Sequence, residues 1–417
     1  MRGAGAGFEP APGWRDAGAR EPDVEAGAGA VHGGRVYEYV RVSGRPLEDI
    51  VDFSANINPL GPPATVREAI LRAMDGIRHY PDPEQREVRR VLAEAFQLPG
   101  PEWVFCGNGA AEVMDLVLRT ARPRRVFVFD PAFAEYEAAS RRCGARVVRL
   151  PLSAADAVIR AEGGGGAALG VDGLGNTGGM APGWRAEEPD GAVPEWPRDG
   201  DVVVFNNPHN PTGRIWTREQ VERLVRPFVA AGAMVMVDES FLDFRWDERD
   251  WTAIPLALAD PRVVVVRSAT KMYSIPGLRF GFGVANPGWV RRVERDRDGW
   301  SVNHLAQAAA AAAYRDEAFR TATWRWLRAE QAFVRETWGQ APGVRLHPPG
   351  VNFFLIEWLD GLDVEGLVAS WAADGMFVRR CHTFRGLSQR HVRVAIRTPQ
   401  ENRRLWAAFV RWREEHG

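Results

Sequence analysis

The sequence predicts an α/β protein in which a large domain with a mostly parallel sheet is joined to a smaller α+β domain. Three observations lead there. Between about residues 101 and 285, short β-branched runs alternate with helical patterns, and runs too apolar to keep a solvent face belong to a sheet covered on both sides. A long helical stretch follows, and beyond it strands and helices mix on a smaller scale. The chain has 417 residues, more than one hydrophobic core comfortably organises.

In chain order, residues 1–30 are rich in Gly, Ala, Pro and charge and read as a disordered extension. Residues 31–75 are expected to pack with the small domain, and the large domain is expected over 76–315. Its strands are VFVFD (126–130), RVVRL (146–150), VVVF (202–205), MVMVD (234–238), VVVV (263–266) and FGFGVA (280–285). Helices are expected at about 110–120, 134–142 and 217–231, the last capped by Thr217 with Glu219 and Gln220 in its first turn. Between 154 and 200, EGGGGAALGVDGLGNTGGMAPG is too Gly-rich to offset the entropy of ordering and reads as a mobile surface insertion. Asn303 to about 338 reads as a long helix or a kinked pair. The small domain, 316–417, has NFFLIEW, MFVRR and HVRVAIR as strands and 364–374 and 400–415 as helices.

Charge and cysteine usage narrow the function. A net charge of −1 with 26% charged residues offers no field for nucleic acid or an anionic membrane, so the expected partner is a small molecule or another subunit. No run of 18 apolar residues occurs and the N-terminus lacks an apolar signal core, so a cytoplasmic location is expected. Cys106, Cys143 and Cys381 are odd in number and widely spaced, which points to neither a disulfide framework nor a metal site. One count stands out: of 53 basic residues, 52 are arginine and one, Lys271, is lysine. Arginine can replace lysine wherever only charge is needed. It cannot give up its proton or condense with an aldehyde, and a lysine amine can do both.

Lys271 lies just beyond the strand 263–266, in SATKMYSIPGLRFGFG, and ligands of open α/β sheets collect at carboxyl ends of strands. Ser268 and Arg279 flank it and could converge on a phosphate. Upstream, GNGAAE (107–112) passes from a glycine turn into a helix, so backbone N–H groups around Gly109, Ala110 and Ala111 form an anion site. Asp238 ends the strand MVMVD and suits a protonated ring nitrogen, although a helix cap is its plainer reading. Asn210, in NNPHNPTG, could donate to a ring oxygen or merely form an Asn–Pro turn.

With PAFAEY (131–136), NPHNPTG (207–213), DESF (238–241) and SATKMYSIPGLRFG (268–281) in this order, the chain resembles the aspartate-aminotransferase-like, fold type I enzymes that use pyridoxal 5′-phosphate. DFSANINPLGPP (52–63), YPDPE (80–84), WSVNHLAQAA (300–309) and RVAIRTPQEN (393–402) resemble threonine-phosphate decarboxylases of the cobalamin pathway, and next histidinol-phosphate aminotransferases. The resemblance implies a seven-stranded sheet in the cofactor domain, Lys271 as the Schiff-base lysine, Asp238 at the pyridine nitrogen and Asn210 at the 3′-oxygen. It further implies Phe133 stacked on the ring, and Tyr80 reaching the cofactor phosphate of a neighbouring subunit in a homodimer with shared active sites. Two positions depart from the common pattern: Ala111 stands where a hydroxyl residue is frequent, and Phe241 where a tyrosine is.

For the substrate, the candidates are Arg379, Arg393 and Arg397, with His32, Asn56 and Asn210. A phosphorylated amino acid needs more than one guanidinium, since phosphate and carboxylate each suit bidentate arginine. Threonine phosphate fits that description. A non-catalytic sensor of the same fold is disfavoured, because residues 1–30 cannot supply a DNA-reading helix.

Overall fold

The computed structural model describes residues 33–160 and 196–416. Its large sheet has seven strands in the order Val104–Gly107, Gly281–Val284, Val263–Ser268, Met234–Asp238, Val202–Asn206, Arg125–Asp130 and Arg146–Pro151. Gly281–Val284 runs antiparallel to both neighbours, and every other pairing is parallel. The reversal has a local cause. Between Ser268 and Gly281 the only helix is the single turn Ala269–Met272, not the long crossover helix that usually carries a chain to a parallel neighbour. The six expected strands form within two residues of their predicted ends, and Val104–Gly107, a short edge strand, was not anticipated.

Both faces of this sheet are buried, which is why its strands read as continuous apolar runs. Val203, Phe205, Val235, Val237 and Val265 enter one core, while Val204, Met236, Val264 and Val266 enter the other, the alternation a strand imposes. Helices Ala110–Ala121, Ala134–Arg142 and Arg218–Ala230 lie where expected. Thr217 caps the last, its Oγ1 accepting from Gln220 N at 3.2 Å while Gln220 Oε1 accepts from Thr217 N at 2.9 Å.

The expected insertion requires correction. Residues 154–160 belong to a helix, Leu152–Arg160, that buries Leu152, Ala155, Val158 and Ile159 against the core. Here apolar residues at helical spacing outweigh the glycines beyond them. Trp196, near the other predicted boundary, packs on Phe228 with ring centroids 5.0 Å apart. The remainder of that segment lies outside the described residues, as do 1–30.

The long helical stretch is a pair, His304–Arg315 and Glu317–Thr337. The break falls at Asp316, whose Oδ1 accepts from Phe319 N at 2.8 Å. The first helix buries Ala306, Ala309, Ala310 and Ala313, small side chains that let it lie close against Ala64–Ala73 and Arg86–Ala95. The second spans both parts of the molecule: Trp324 Nε1 donates to Asp243 O at 2.9 Å, and Trp326 Nε1 to Arg397 O at 3.2 Å. The division expected at 315/316 falls at the break between these two helices.

The second sheet is antiparallel, in the order Arg379–Arg380, His391–Ala395, Phe353–Trp358, Val344–His347. Helices Val364–Ala373 and Pro399–His416 accompany it, with Trp338, Trp358, Trp371, Trp406 and Phe409 packed ring to ring. The N-terminal segment joins this part through Val51–Asp52, which pairs in parallel with Met376–Phe377. Among the described residues no helix is long and apolar enough to cross a membrane.

Candidate active site

Three adjacent strands, Val202–Asn206, Met234–Asp238 and Val263–Ser268, end on the same side of the sheet. Each strand end, or the turn just beyond it, supplies one functional group: Asn210 from the turn after the first, Asp238 at the tip of the second, Lys271 in the helical turn after the third. All three line a cavity of about 310 Å³ that also meets Ala110, Ala111, Phe133, Tyr136 and Arg279.

Asp238 is buried and firmly oriented. Its Oδ2 accepts from Tyr136 Oη at 2.6 Å, and its Oδ1 from Ser240 N at 2.9 Å. The phenol keeps its proton, since burial, reinforced by the Asp238 charge, raises Tyr136 well above its ordinary pKa. Tyr136 was missed by sequence reasoning. It stands three residues after Phe133, one helical turn on, and that spacing was the available signal. Phe133 meets Tyr136 edge-on, centroids 5.6 Å apart, and lines the cavity.

Lys271 is brought down to about 8 by burial, helped by the positive charges of Arg279 and Arg393 and opposed by Asp238. Its amine thus reaches the neutral, nucleophilic form near physiological pH. Nζ lies 3.4 Å from Ser268 Oγ and 5.4 Å from the centroid of Phe241. Ser268 is fully buried, and neither it nor Gly109 is among the residues that line the cavity.

At the other end of this cavity the helix Ala110–Ala121 presents its N-terminus, with Arg279 laid against it. Gly109 has φ +86°, and a Cβ there would fall 2.3 Å from Arg279 Nη2. A Cβ on Gly281 would fall 2.4 Å from Ala110 N. Both glycines are therefore needed for strand, helix end and guanidinium to converge on one anion.

A second cavity, about 480 Å³, adjoins the first through Phe133, Asn210, Phe241, Thr270 and Lys271. Its far wall comes from elsewhere in the chain: Gly33, Ser54 and Asn56 from the N-terminal segment, Arg379 and Arg393 from the small sheet, and Thr383 and Phe384 from the loop between those two strands. Arg393 is buried, donating to Ser54 O at 2.7 Å through Nη2 and to Asn210 Oδ1 through Nη1. Arg379 stands directly opposite Arg393 in the ladder and reaches Thr383 Oγ1 at 2.8 Å. Burial lowers both, and Arg393, with Arg379 acting in the same sense, falls to about 10, still cationic at neutral pH.

Not every expected residue gathers here. Arg397 does not line the cavity: the strand ends at Ala395, the chain turns into Pro399–His416, and Arg397 Nη2 is taken up by Glu401 Oε1 at 3.0 Å. Tyr80 also lies off the wall, 79% exposed and stacked on Trp300 at 4.6 Å. His32 lies outside the described residues. Among the described residues no group of three or more His, Cys, Asp or Glu is placed to hold a metal ion.

A buried carboxylate at a strand tip, a lysine able to lose its proton, a flat aromatic wall and a helix N-terminus with an arginine form a donor set for a flat, basic, phosphorylated aldehyde. Residues 48–409 match the aminotransferase class I and II family. The chain belongs to that family. Its cofactor is pyridoxal 5′-phosphate, and it is an enzyme of fold type I. The threonine-phosphate decarboxylase of Salmonella typhimurium is 32% identical over 381 residues, covering 91% of this chain and 96% of that one. A histidinol-phosphate aminotransferase of Symbiobacterium thermophilum is 31% identical, covering 88% and 94%. Among solved structures, the L-threonine-O-3-phosphate decarboxylase of Porphyromonas gingivalis superposes with a TM-score of 0.70 at 24% identity, covering 88% of this chain and 100% of the other. The histidinol-phosphate aminotransferase of Sinorhizobium meliloti, solved with pyridoxal 5′-phosphate, gives 0.71 at 20%, covering 91% and 95%. Both relationships carry the fold.

Proposed function

We propose that the enzyme decarboxylates L-threonine O-3-phosphate to (R)-1-aminopropan-2-yl phosphate and CO₂, as a step toward cobalamin. The observation that carries this reading is the register pair Arg379–Arg393 in the wall of the larger cavity. Like charges directly opposed across a ladder destabilise a sheet unless an anion lies between or beside them. Two guanidiniums there suit a guest whose phosphate they grip together, with a carboxylate held only loosely beside it. The 32% identity to the Salmonella decarboxylase supports the same choice.

The cofactor, when bound, supplies an electron sink for a bond broken at the substrate α-carbon. Its phosphate would lie at the N-terminus of Ala110–Ala121 with Arg279, and Phe133 would cover one ring face. Asp238, held by Tyr136 and Ser240, would keep a proton on the ring nitrogen. Asn210 gives its carbonyl oxygen to Arg393, which leaves its amide N–H groups for the ring oxygen. Lys271 would hold the cofactor, yield to the substrate amine, and then return a proton to Cα. Arg379 and Arg393 would grip mainly the phosphate, because a carboxylate that must leave gains nothing from tight binding in the ground state. Whether the substrate α-carbon would lose its carboxylate as CO₂ or its proton on the way to amino transfer would depend on how Arg379 and Arg393 orient the substrate.

Tyr80 enters through a second subunit in this reading. Exposed beside Trp300 and away from its own cavity, it is free to complete the phosphate site of a homodimer partner.

The deciding experiment incubates purified holoenzyme with L-threonine phosphate and no 2-oxo acid. Stoichiometric CO₂ and amine are expected. Glutamate formed from histidinol phosphate plus 2-oxoglutarate, with no CO₂ from threonine phosphate, would establish the aminotransferase instead.

A further inference from the structure

On the opposite face of the sheet from the cavity lies a charge cluster that the chemistry above does not use. Arg267 is fully buried and meets three buried carboxylates: Nε forms an ion pair with Glu239 Oε2 at 2.9 Å without hydrogen-bond alignment, while Nη1 donates to Glu248 Oε2 at 2.9 Å and to Asp243 Oδ1, and Nη2 donates at 3.2 Å to Thr252 Oγ1, which in turn holds Glu239. Arg320 adds a second guanidinium at Glu248. Tyr314 Oη donates to Asp243 Oδ2 at 3.0 Å, and Thr252 Oγ1 to Glu239 Oε2 at 2.8 Å. Formally, two positive charges face three negative ones. Burial pushes Glu239 and Asp243 upward against the pull of Arg267.

Its placement is specific. Arg267 immediately precedes Ser268, and Glu239 immediately follows Asp238. Because side chains alternate along a strand, each lies one residue from a group of the catalytic side and points the other way. The two strands are paired neighbours, Glu239 N donating to Val266 O at 2.8 Å. The Arg267–Glu239 pair therefore cross-links the strand ends that carry Asp238 and lead to Lys271. From the same cluster, contacts pass to the helix Glu317–Thr337 through Arg320 and through Trp324 on Asp243 O. That helix in turn holds the small-sheet side, Gln331 Nε2 donating to Val351 O at 2.9 Å and Trp326 Nε1 to Arg397 O.

Stability alone does not call for such an arrangement, since well-packed apolar residues of similar volume often hold an interior as well or better. We propose that Arg267 is a positioning residue: through Glu239 it sets the spacing of Asp238 and Lys271, and through Asp243 and Glu248 it registers both against the helix that bears the substrate-facing sheet. The proposal concerns the shared cofactor geometry and holds for decarboxylation and amino transfer alike.

Arg267→Lys keeps the charge but loses the fork that reaches three carboxylates, and Glu239→Gln keeps the shape but loses one of them. Each is compared with the parent holoenzyme by three readouts: the half-time of cofactor release on dialysis, the pH midpoint of the cofactor's visible absorption band, and kcat separately from KM. Release about tenfold faster, as when a supporting partner of a bound group is removed, a displaced absorption midpoint, and a fall in kcat larger than any change in KM are expected. A variant that loses thermal stability while cofactor release, absorption midpoint and kcat all stay within about twofold of the parent, inside the scatter of a neutral change, would overturn the proposal and leave the cluster a structural one. Should Arg267→Lys not fold, Glu239→Gln decides by the same readouts.

Discussion

The two ends of the active site are built on different principles. The cofactor end draws Asn210, Asp238 and Lys271 from the carboxyl ends of three neighbouring strands, so each functional residue sits at a fixed offset from a recognisable apolar run. The substrate end is assembled from three stretches far apart in the chain: the N-terminal segment, the turn at Asn210, and the strands holding Arg379 and Arg393. In the first case a local pattern specifies the position. In the second only the tertiary fold does, and one arginine among 52 looks like another.

The sharpest way to break this contrast is at Lys271. Lys271→Ala should fold normally and lose at least about 10⁴-fold in turnover, the upper range for removal of a group that transfers protons. An intact fold by circular dichroism with turnover within tenfold of the parent would remove the lysine from the chemistry. Asp238→Ala should come next, with about a 10²–10³-fold loss in kcat, comparable to removal of a preorganised electrostatic contact. Steady-state kinetics at saturating cofactor measures it.

The substrate end gives smaller, more selective effects. Arg393→Ala should lower kcat/KM for the phosphorylated substrate by at least about 30-fold, the lower range for truncating a buried, hydrogen-bonded charge. Threonine without phosphate should suffer much less. Equal losses for both substrates would reassign Arg393 to the carboxylate.

The pH dependence sharpens the cofactor side. Lys271 is lowered from its ordinary value to about 8, so its amine is mainly protonated below that pH and mainly neutral above it. Cofactor capture by apoenzyme should therefore speed up about tenfold per pH unit below 8 and level off above, because only the neutral amine attacks. A rate still climbing beyond pH 9.5 would indicate an unperturbed lysine.

The smallest effect is expected at Arg397. With its guanidinium ion-paired to Glu401 at the start of the last helix, Arg397→Ala should change kcat/KM by less than about threefold, the scale of a partly exposed ion pair. A loss matching that of Arg393→Ala would mean that the strand extends further in the working enzyme.

These contrasts show what was legible beforehand. The parallel strands were, because burial on both faces makes them continuous apolar runs, and so were the glycine turn and Lys271. The edge strand Val104–Gly107 was hidden by its length, and Tyr136 by its place in a helix whose buried face reads as ordinary packing. Arg397 misled because period-two spacing puts it on the same face as Arg393, and only the turn after Ala395 removes it. The helix Leu152–Arg160 was obscured by the glycines beyond it.

The aromatic packing of the small sheet has an optical consequence. Four of the sixteen tryptophans, Trp338, Trp358, Trp371 and Trp406, are gathered there, with Trp338 within 6.4 Å, centroid to centroid, of each of the others. Excitation absorbed by any one of these indoles can pass among them before it is emitted. Their fluorescence falls in the near-ultraviolet and violet, where a bound pyridoxal chromophore absorbs. With the other twelve tryptophans replaced, quenching of this cluster by the cofactor would gauge the separation between the small sheet and the cavity during turnover without any attached dye.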